Sequence, residues 1–307
     1  PVSAALVTSP LVRKLRSHSA HGSPAAAAML ALILSPFSSA LPQLRLEYGA
    51  SVVPHPAKAR TGGEDAHLAI GRLLQARGER EVTGAFGVFD GVGAWVNEGV
   101  DSGIFSRTLA RQTRDALSRQ SWASSLDLTA ALSAGLQATH EVGSTTACLL
   151  SFDRSGVVHA LNLGDSGFRV LSRGDTLPAM VKARSSEQTH DFNYPYQLGT
   201  GSKDSPQDGD QYELRVAAGD LVVLGSDGVW DNLFDSRLCE LLGELPPDAT
   251  APALAQAIAA EARAASLRHD WQSPFALAAS RHDGQPHEGG KLDDVTVVCV
   301  KVLCSKG

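Results

Sequence analysis

Cysteine is scarce in this chain. Four are present in 307 residues, Cys148, Cys239, Cys299 and Cys304, and none shares a Cys-x-x-Cys spacing with another. Neither a zinc ribbon nor a disulfide framework is therefore indicated, and a reduced interior fits best. Long apolar runs are missing too: the longest, residues 25–34, has ten residues, against the roughly 18 that a membrane-spanning helix needs, so stable membrane insertion is not expected. No internal repeat is found. Acidic residues are absent from residues 1–46, where Arg13, Lys14, Arg16 and Arg45 stand among many Ala and Ser. The rest of the chain holds the other 23 basic residues and all 33 acidic ones, a balance of −10. That sign argues against a nucleic-acid partner.

An acid-free, Ala/Ser-rich start with scattered basic residues has the composition of an organelle transit peptide, so a chloroplast or mitochondrial location is expected. Two readings compete with it. One is a secretory signal with residues 13–16 as its positive region, 25–34 as its apolar core and 38–40 near a cleavage point. The other is an untargeted disordered tail, which leaves the protein in the cytoplasm. All of them divide the chain into an N-terminal targeting or disordered segment, 1–46, and one folded domain, 47–307. At 43% hydrophobic and 20% charged, the chain has an ordinary globular composition. A monomer is expected.

Short β-branched and aromatic runs bounded by Gly, Asp and Ser read as strands near 84–89, 144–152, 156–163, 168–172, 212–216, 220–225 and 295–303. Turns at 152–156 and 164–167 suggest antiparallel neighbours. Asp101 or Ser102 can cap a helix running to about Arg119, and Asp127 one that carries Leu128, Leu132 and Leu136 on a single face. Residues 251–267 place Leu254, Ile258 and Ala262 at the same spacing. The Gly-, His- and Pro-rich residues 269–290 read as a long surface loop. Helices grouped between sets of strands indicate an α+β fold.

Acids mark the ends of the apolar runs. Asp90 ends one in GAFGVFDGVGAW and is followed by Gly91; Glu64 and Asp65 precede His67; Asp165 follows VVHALNLG; Asp227 follows LVVLGS; Asp293 and Asp294 precede VTVVCVKVL. Singly, each Asp-Gly pair reads as readily as a strand terminator, because the dipeptide favours turns, and Glu64-Asp65 as a solvated pair. Jointly they look like hard oxygen ligands gathered by one fold, the chemistry Mg²⁺ or Mn²⁺ prefers. Two such ions held by carboxylates make hydroxide near neutral pH and neutralise a transferred phosphoryl group.

Arg60-x-x-x-Glu64-Asp65-Ala-His, Phe89-Asp90-Gly91, Gly143-Ser-Thr-Thr, Asn162-Leu-Gly-Asp165-Ser, Gly225-Ser-Asp227-Gly228-x-Trp-Asp231 and Lys291-Leu-Asp293-Asp294-Val-Thr-Val follow one another in the chain. In this order they resemble the metal-dependent serine/threonine phosphatases of type 2C, over about residues 47–304. Thr-Gly-Gly-Glu-Asp-Ala, Leu-Gly-Asp-Ser-Gly-Phe and Lys-Leu-Asp-Asp are similar to the organellar subgroup related to the T-cell activation protein phosphatase homologue and its plant relatives. The resemblance implies a β-sandwich of two antiparallel sheets flanked by helices, four layers in the order αββα. It implies that Asp90 bridges two Mn²⁺ or Mg²⁺ ions, with help from the Gly91 carbonyl. Glu64 and Asp65 form the acidic pair beside them, Asp227 and Asp293 hold the other metal, and Asp165 with Asp227 matches a third, weaker metal position. Arg60 would grip the substrate phosphate, since a guanidinium can hold two of its oxygens at once.

The implied activity is hydrolysis of phosphoserine and phosphothreonine in proteins by a metal-activated water. No Cys-x5-Arg loop is present for a covalent route. One departure stands out: many relatives have His two residues after the bridging Asp, where it can protonate the leaving alcohol, and this chain has Val92. Metal-bound water, His67 or His190 are the substitutes considered. Asp294 replaces the Asn common beside the last ligand. Two other functions stay open, a phosphoprotein-binding pseudophosphatase and a hydrolase of small phosphate esters.

Overall fold

A computed structural model describes residues 12–15, 44–76, 79–122, 125–153, 156–173 and 178–304. Apart from residues 12–15, 44 and beyond, the N-terminal segment lies outside the described residues, and so do the proposed apolar core at 25–34 and cleavage point at 38–40. The chain runs β1 (Val12–Leu15), β2 (Leu44–Val53), β3 (Ala66–Ala76), β4 (Glu79–Phe89), α1 (Ser102–Arg119), α2 (Leu128–Gln137), β5 (Ser144–Thr145), β6 (Ala147–Phe152), β7 (Val157–Leu163), β8 (Gly167–Ser172) and β9 (Met180–Arg184). It continues through the short β10 (Thr189–Asp191), β11 (Tyr194–Pro195) and β12 (Leu198–Gly199) to β13 (Asp210–Arg215), β14 (Asp220–Gly225), α3 (Asp227–Trp230), α4 (Asp235–Glu244), α5 (Ala251–Ser266), α6 (Pro274–Asp283) and β15 (Val295–Cys304).

Two antiparallel sheets form, one ordered β1-β13-β7-β6-β4-β3 and the other β2-β15-β14-β8-β9. The inner strands β6, β7, β8, β14 and β15 read as nearly continuous apolar runs because both their faces are covered. Alternate residues go to different layers. Phe86, Val88, Cys148, Leu150 and Val158 meet Phe168, Val170, Val222, Leu224, Val298 and Val300 between the sheets. Ala85, Phe89, Leu149 and Leu161 face Phe105, Leu109 and Leu132 of α1 and α2. Leu221, Val223, Val297 and Cys299 face Leu238 of α4 and Leu254, Ile258 and Ala262 of α5. This is the αββα sandwich, with period-2 burial in strands and period-3.6 burial in helices setting the layers.

Register places the functional residues. Ala66 pairs with Phe89, Gly225 with Val297, Gly225 with Gly167, and Ala147 with Leu163. Each strand leaving its sheet at this end therefore lies beside one entering it, and the acids at those junctions share one end of the sandwich.

Three expectations are corrected. The turn at 164–167 is not a hairpin within a sheet: β7 pairs with β6 and β13, β8 with β14 and β9, so the turn carries the chain from one sheet to the other. Residues 269–290 are not all loop, since α6 forms within them, its first turn capped by Ser273 Oγ accepting from Ala276 N at 3.0 Å, with Pro274 at the first position. Folded structure starts before residue 47, because β2 begins at Leu44 and its Leu46 is buried between the sheets.

Candidate active site

Asp90 leaves the end of β4 and is fixed by its backbone. Its carbonyl accepts from Thr146 N at 2.9 Å and Thr145 Oγ1 at 2.7 Å, and its amide donates to Thr146 Oγ1 at 3.3 Å. Gly91 pairs with Thr145; a Cβ at Gly91 would lie 2.5 Å from the Glu64 carbonyl oxygen, so only glycine lets the two segments approach. On the facing segment Gly63 has φ +83°, and a Cβ there would meet Asp294 Oδ1 at 2.5 Å. Helix α1 secures this turn: Ser106 donates to the Glu64 carbonyl, and Arg107 Nη1 to Gly63 O at 2.8 Å.

The acids then divide by what they touch. Asp294 is buried and satisfied: Oδ1 accepts from His55 N at 2.6 Å, and Oδ2 from Glu64 N at 2.9 Å and Lys58 Nζ at 3.4 Å. Asp293 is half-buried, with Oδ1 accepting from Asp294 N at 2.9 Å and its carboxylate 3.8 Å from Lys291 Nζ and 3.9 Å from Lys58 Nζ. Lys58 also pairs with Glu64. Lys291 bonds Asp227 Oδ2 and, at 2.8 Å, Asp231 Oδ2. The Asp227 amide donates to Asp90 Oδ2 at 3.3 Å, tying β14's end to β4's. No hydrogen bond of ordinary geometry reaches either oxygen of buried Asp65, or Asp227 Oδ1.

Charge is crowded here. Glu64, Asp65, Asp90, Asp165, Asp227, Asp231, Asp293 and Asp294 share the two ammonium groups of Lys58 and Lys291. Burial, then Asp294, pushes the Asp65 carboxyl up to about 8, although the nearby Thr296 and Ser226 hydroxyls pull the other way. Burial followed by Asp227 raises Asp90 and Asp165 well above the ordinary carboxylate range, and Asp293 to about 6. Asp231 rises to about 7, burial being the main cause. Burial is the largest influence on Asp227 and would raise it, but the Lys291 charge together with hydrogen bonding from Asp90, Lys291 and the Gly228 backbone leaves that carboxyl low. Both lysines rise because neighbouring carboxylates overcome the cost of burial.

Buried carboxylate oxygens without donors are what a hard divalent cation requires. Among the described residues, no three His, Cys, Asp or Glu side chains already stand at the spacing that closes on one ion; Lys58 and Lys291 bridge the acids instead. The donor set fits Mg²⁺ or Mn²⁺ in kind, all oxygen and rich in negative charge.

Of the residues expected from sequence, Glu64, Asp65, Asp90, Gly91, Asp227 and Asp293 come together, and Asp165 lies within electrostatic reach of Asp227 and Asp90. Arg60 sits exposed on the turn before Gly63 and makes no ion pair among the described residues. His190 stacks on Tyr196, with ring centroids 4.2 Å apart, and bonds Asp204 at 3.0 Å; His67 is exposed on β3. Sequence reasoning missed the two lysines and Asp231. Lys291 and Asp231 were visible inside the motifs as the charged neighbours of two ligands.

The sandwich and its acid-lined end define a phosphatase fold of the 2C type. Residues 85–303 match the family described as Stage II sporulation protein E (SpoIIE). The chain is 39% identical to "Probable protein phosphatase 2C 80" of Arabidopsis thaliana over 274 residues, covering 87% of this chain and 61% of that protein. It is 38% identical to "Protein phosphatase PTC7 homolog fig" of Drosophila grimshawi over 237 residues, 72% of this chain and 75% of that one. Among solved structures, that of the photosystem II phosphatase PBCP is 30% identical, with a TM-score of 0.72 over 83% of this chain and 98% of the other. The chain belongs to the protein phosphatase 2C family, also called PPM, whose members are in general metal-dependent. It spans less than two thirds of the plant relative's length.

Proposed function

We propose that this chain hydrolyses phosphoserine and phosphothreonine in proteins, using two divalent ions, Mn²⁺ or Mg²⁺. The observation that carries this reading is the convergence of Glu64, Asp65, Asp90, Asp227 and Asp293 from separate strand ends, with no hydrogen bond of ordinary geometry to the Asp65 carboxylate or to Asp227 Oδ1. Asp90 with the Gly91 carbonyl would hold both ions, the Glu64–Asp65 segment would flank one, and Asp227 and Asp293 would complete the other. When bound, the ions supply an acidic water and positive charge against the phosphoryl oxygens.

The chain's own groups do the rest. Thr145 and Thr146 hold the Asp90 backbone so that its carboxylate needs no reorganisation. Asp294 aligns Glu64 through its amide. Arg60, exposed and without an ion pair among the described residues, would offer two N–H donors to a phosphate. Val92 offers no proton, so no side chain protonates the leaving alcohol from that position. A chloroplast or mitochondrial location belongs to the same reading and rests on the acid-free N-terminal composition and the organellar character of the motifs.

The test is phosphate release from a phosphothreonine peptide with Mn²⁺, Mg²⁺ or EDTA. Turnover should require metal, and Asp90→Asn should lower it on the order of 1000-fold, about 4 kcal/mol of lost transition-state stabilisation. Peptide binding without turnover in any metal would replace this reading with a pseudophosphatase. Faster turnover of sugar phosphates would replace it with a small-ester hydrolase.

A further inference from the structure

Lys291 is built into the site by its backbone as well as its charge. Asn232, fully buried just after α3, clamps it with both ends of its amide: Nδ2 donates to Lys291 O at 2.8 Å, and Lys291 N donates to Oδ1 at 2.9 Å. The same Nδ2 reaches Gly228 O at 3.0 Å, so the lysine is registered against the helical turn that presents Asp227 and Asp231. Phe275 forms the floor. Its amide donates to Asp231 O at 3.1 Å, and its ring lies 5.2 Å from the Lys291 ammonium. The ammonium bonds Asp227 Oδ2 and Asp231 Oδ2 and offsets the charge on Asp165.

We propose that Lys291 is a resident cation that takes the place of a third metal ion by occupying the Asp227 and Asp231 carboxylates such an ion would need, so that this chain binds two divalent ions and not three. The inference rests on the two-metal reading above and refines it. A divalent ion and an ammonium cannot share the same carboxylate oxygens, because like charges at contact distance repel strongly in a partly desolvated site. The lysine also gives Asp227 a fixed orientation: Oδ2 is taken by the ammonium, while Oδ1 receives no hydrogen bond of ordinary geometry and can face an ion. Lys291 is thus a positioning residue, acting on the metal site through Asp227.

Counting Mn²⁺ per chain by calorimetric titration, and locating the ions by anomalous scattering from Mn²⁺-soaked crystals, tests this with the whole chain. The wild type should bind two ions up to millimolar Mn²⁺, with the Lys291 ammonium still on Asp227 and Asp231. Lys291→Met should bind a third, weaker ion at Asp165, Asp227 and Asp231, and Mn²⁺ should raise its melting temperature by more than it does for the wild type. Three ions in the wild type, an ammonium displaced from the two aspartates, or a Lys291→Met that still binds two would each overturn the proposal. If Lys291→Met does not fold, the wild-type count and lysine position decide alone. A wild type that binds no Mn²⁺ would defeat the two-metal reading and this refinement together, whereas a third ion with intact turnover would defeat only the refinement.

Discussion

Asp293 and Asp294 are adjacent in the chain, yet three donors converge on one while a single backbone amide bonds the other. His55 N, Glu64 N and Lys58 Nζ all point at the buried Asp294 carboxylate. Removing it strands the backbone amides of His55 and Glu64, while Lys58 keeps Glu64 as its partner, so Asp294→Ala should cost about 3 kcal/mol, since each buried donor left unmade costs ~1–3 kcal/mol. Asp293→Ala removes one bond from a half-buried carboxylate. It should stay within about 1 kcal/mol of the wild type and weaken Mn²⁺ binding instead. Denaturant titrations in EDTA, paired with Mn²⁺ calorimetry, separate the two; equal effects of both variants on stability and metal affinity would refute the division of labour. The sequence could not assign these roles, because both are carboxylates before the same strand and only the tertiary approach of residues 55–64 tells them apart.

At the scale of elements, capping was more legible than loop content. Asp101 and Asp127 cap α1 and α2 as their positions suggest, accepting from Gly103 N at 2.9 Å and from Ala130 N at 2.8 Å. The cap on α2 lies far from the acid cluster in sequence and makes no contact with it, so Asp127→Ala should cost ~1 kcal/mol and leave Mn²⁺ affinity unchanged. Leu132→Ala, at a fully buried position on the same helix, should cost about 2–5 kcal/mol. A cap variant as costly as the core variant in urea unfolding would mean α2 is held by its end rather than its face. The strands β3 and β9 went unread because their residues mix polar and apolar types, and α6 because Gly, His and Pro around it outweighed the Ser-Pro start. Strand ends bearing acids were legible, since an apolar run followed by Asp-Gly carries its signal locally. The crossing from β7 to β8 between sheets was not, because a four-residue turn reads the same whether it reverses within a sheet or leaves it.

For the whole molecule, eight carboxylates at one end of a sandwich set a direction for stability against pH. Asp293, Asp231 and Asp65 are raised from 3.8 to about 6, about 7 and about 8. A carboxyl whose folded pKa exceeds its unfolded one contributes stability that is fully present below the unfolded value and is lost as pH climbs through the folded value. Asp227, held low by Lys291, works oppositely, its contribution present above the unfolded value and lost only in stronger acid, so it adds no slope in this window. Without metal, the protein should therefore lose stability as pH rises from about 4 to about 8, by up to about 1.4 kcal/mol per pH unit for each proton released on unfolding. Divalent ions bind the ionised carboxylates, so their stabilisation should grow over the same range. Melting temperatures in EDTA and in Mn²⁺ across this range should diverge as pH increases. Parallel curves, or a metal-free curve that climbs with pH as it does for salt-bridged acids, would mean that the lysines already neutralise the cluster and that the fold has no electrostatic need for the ions.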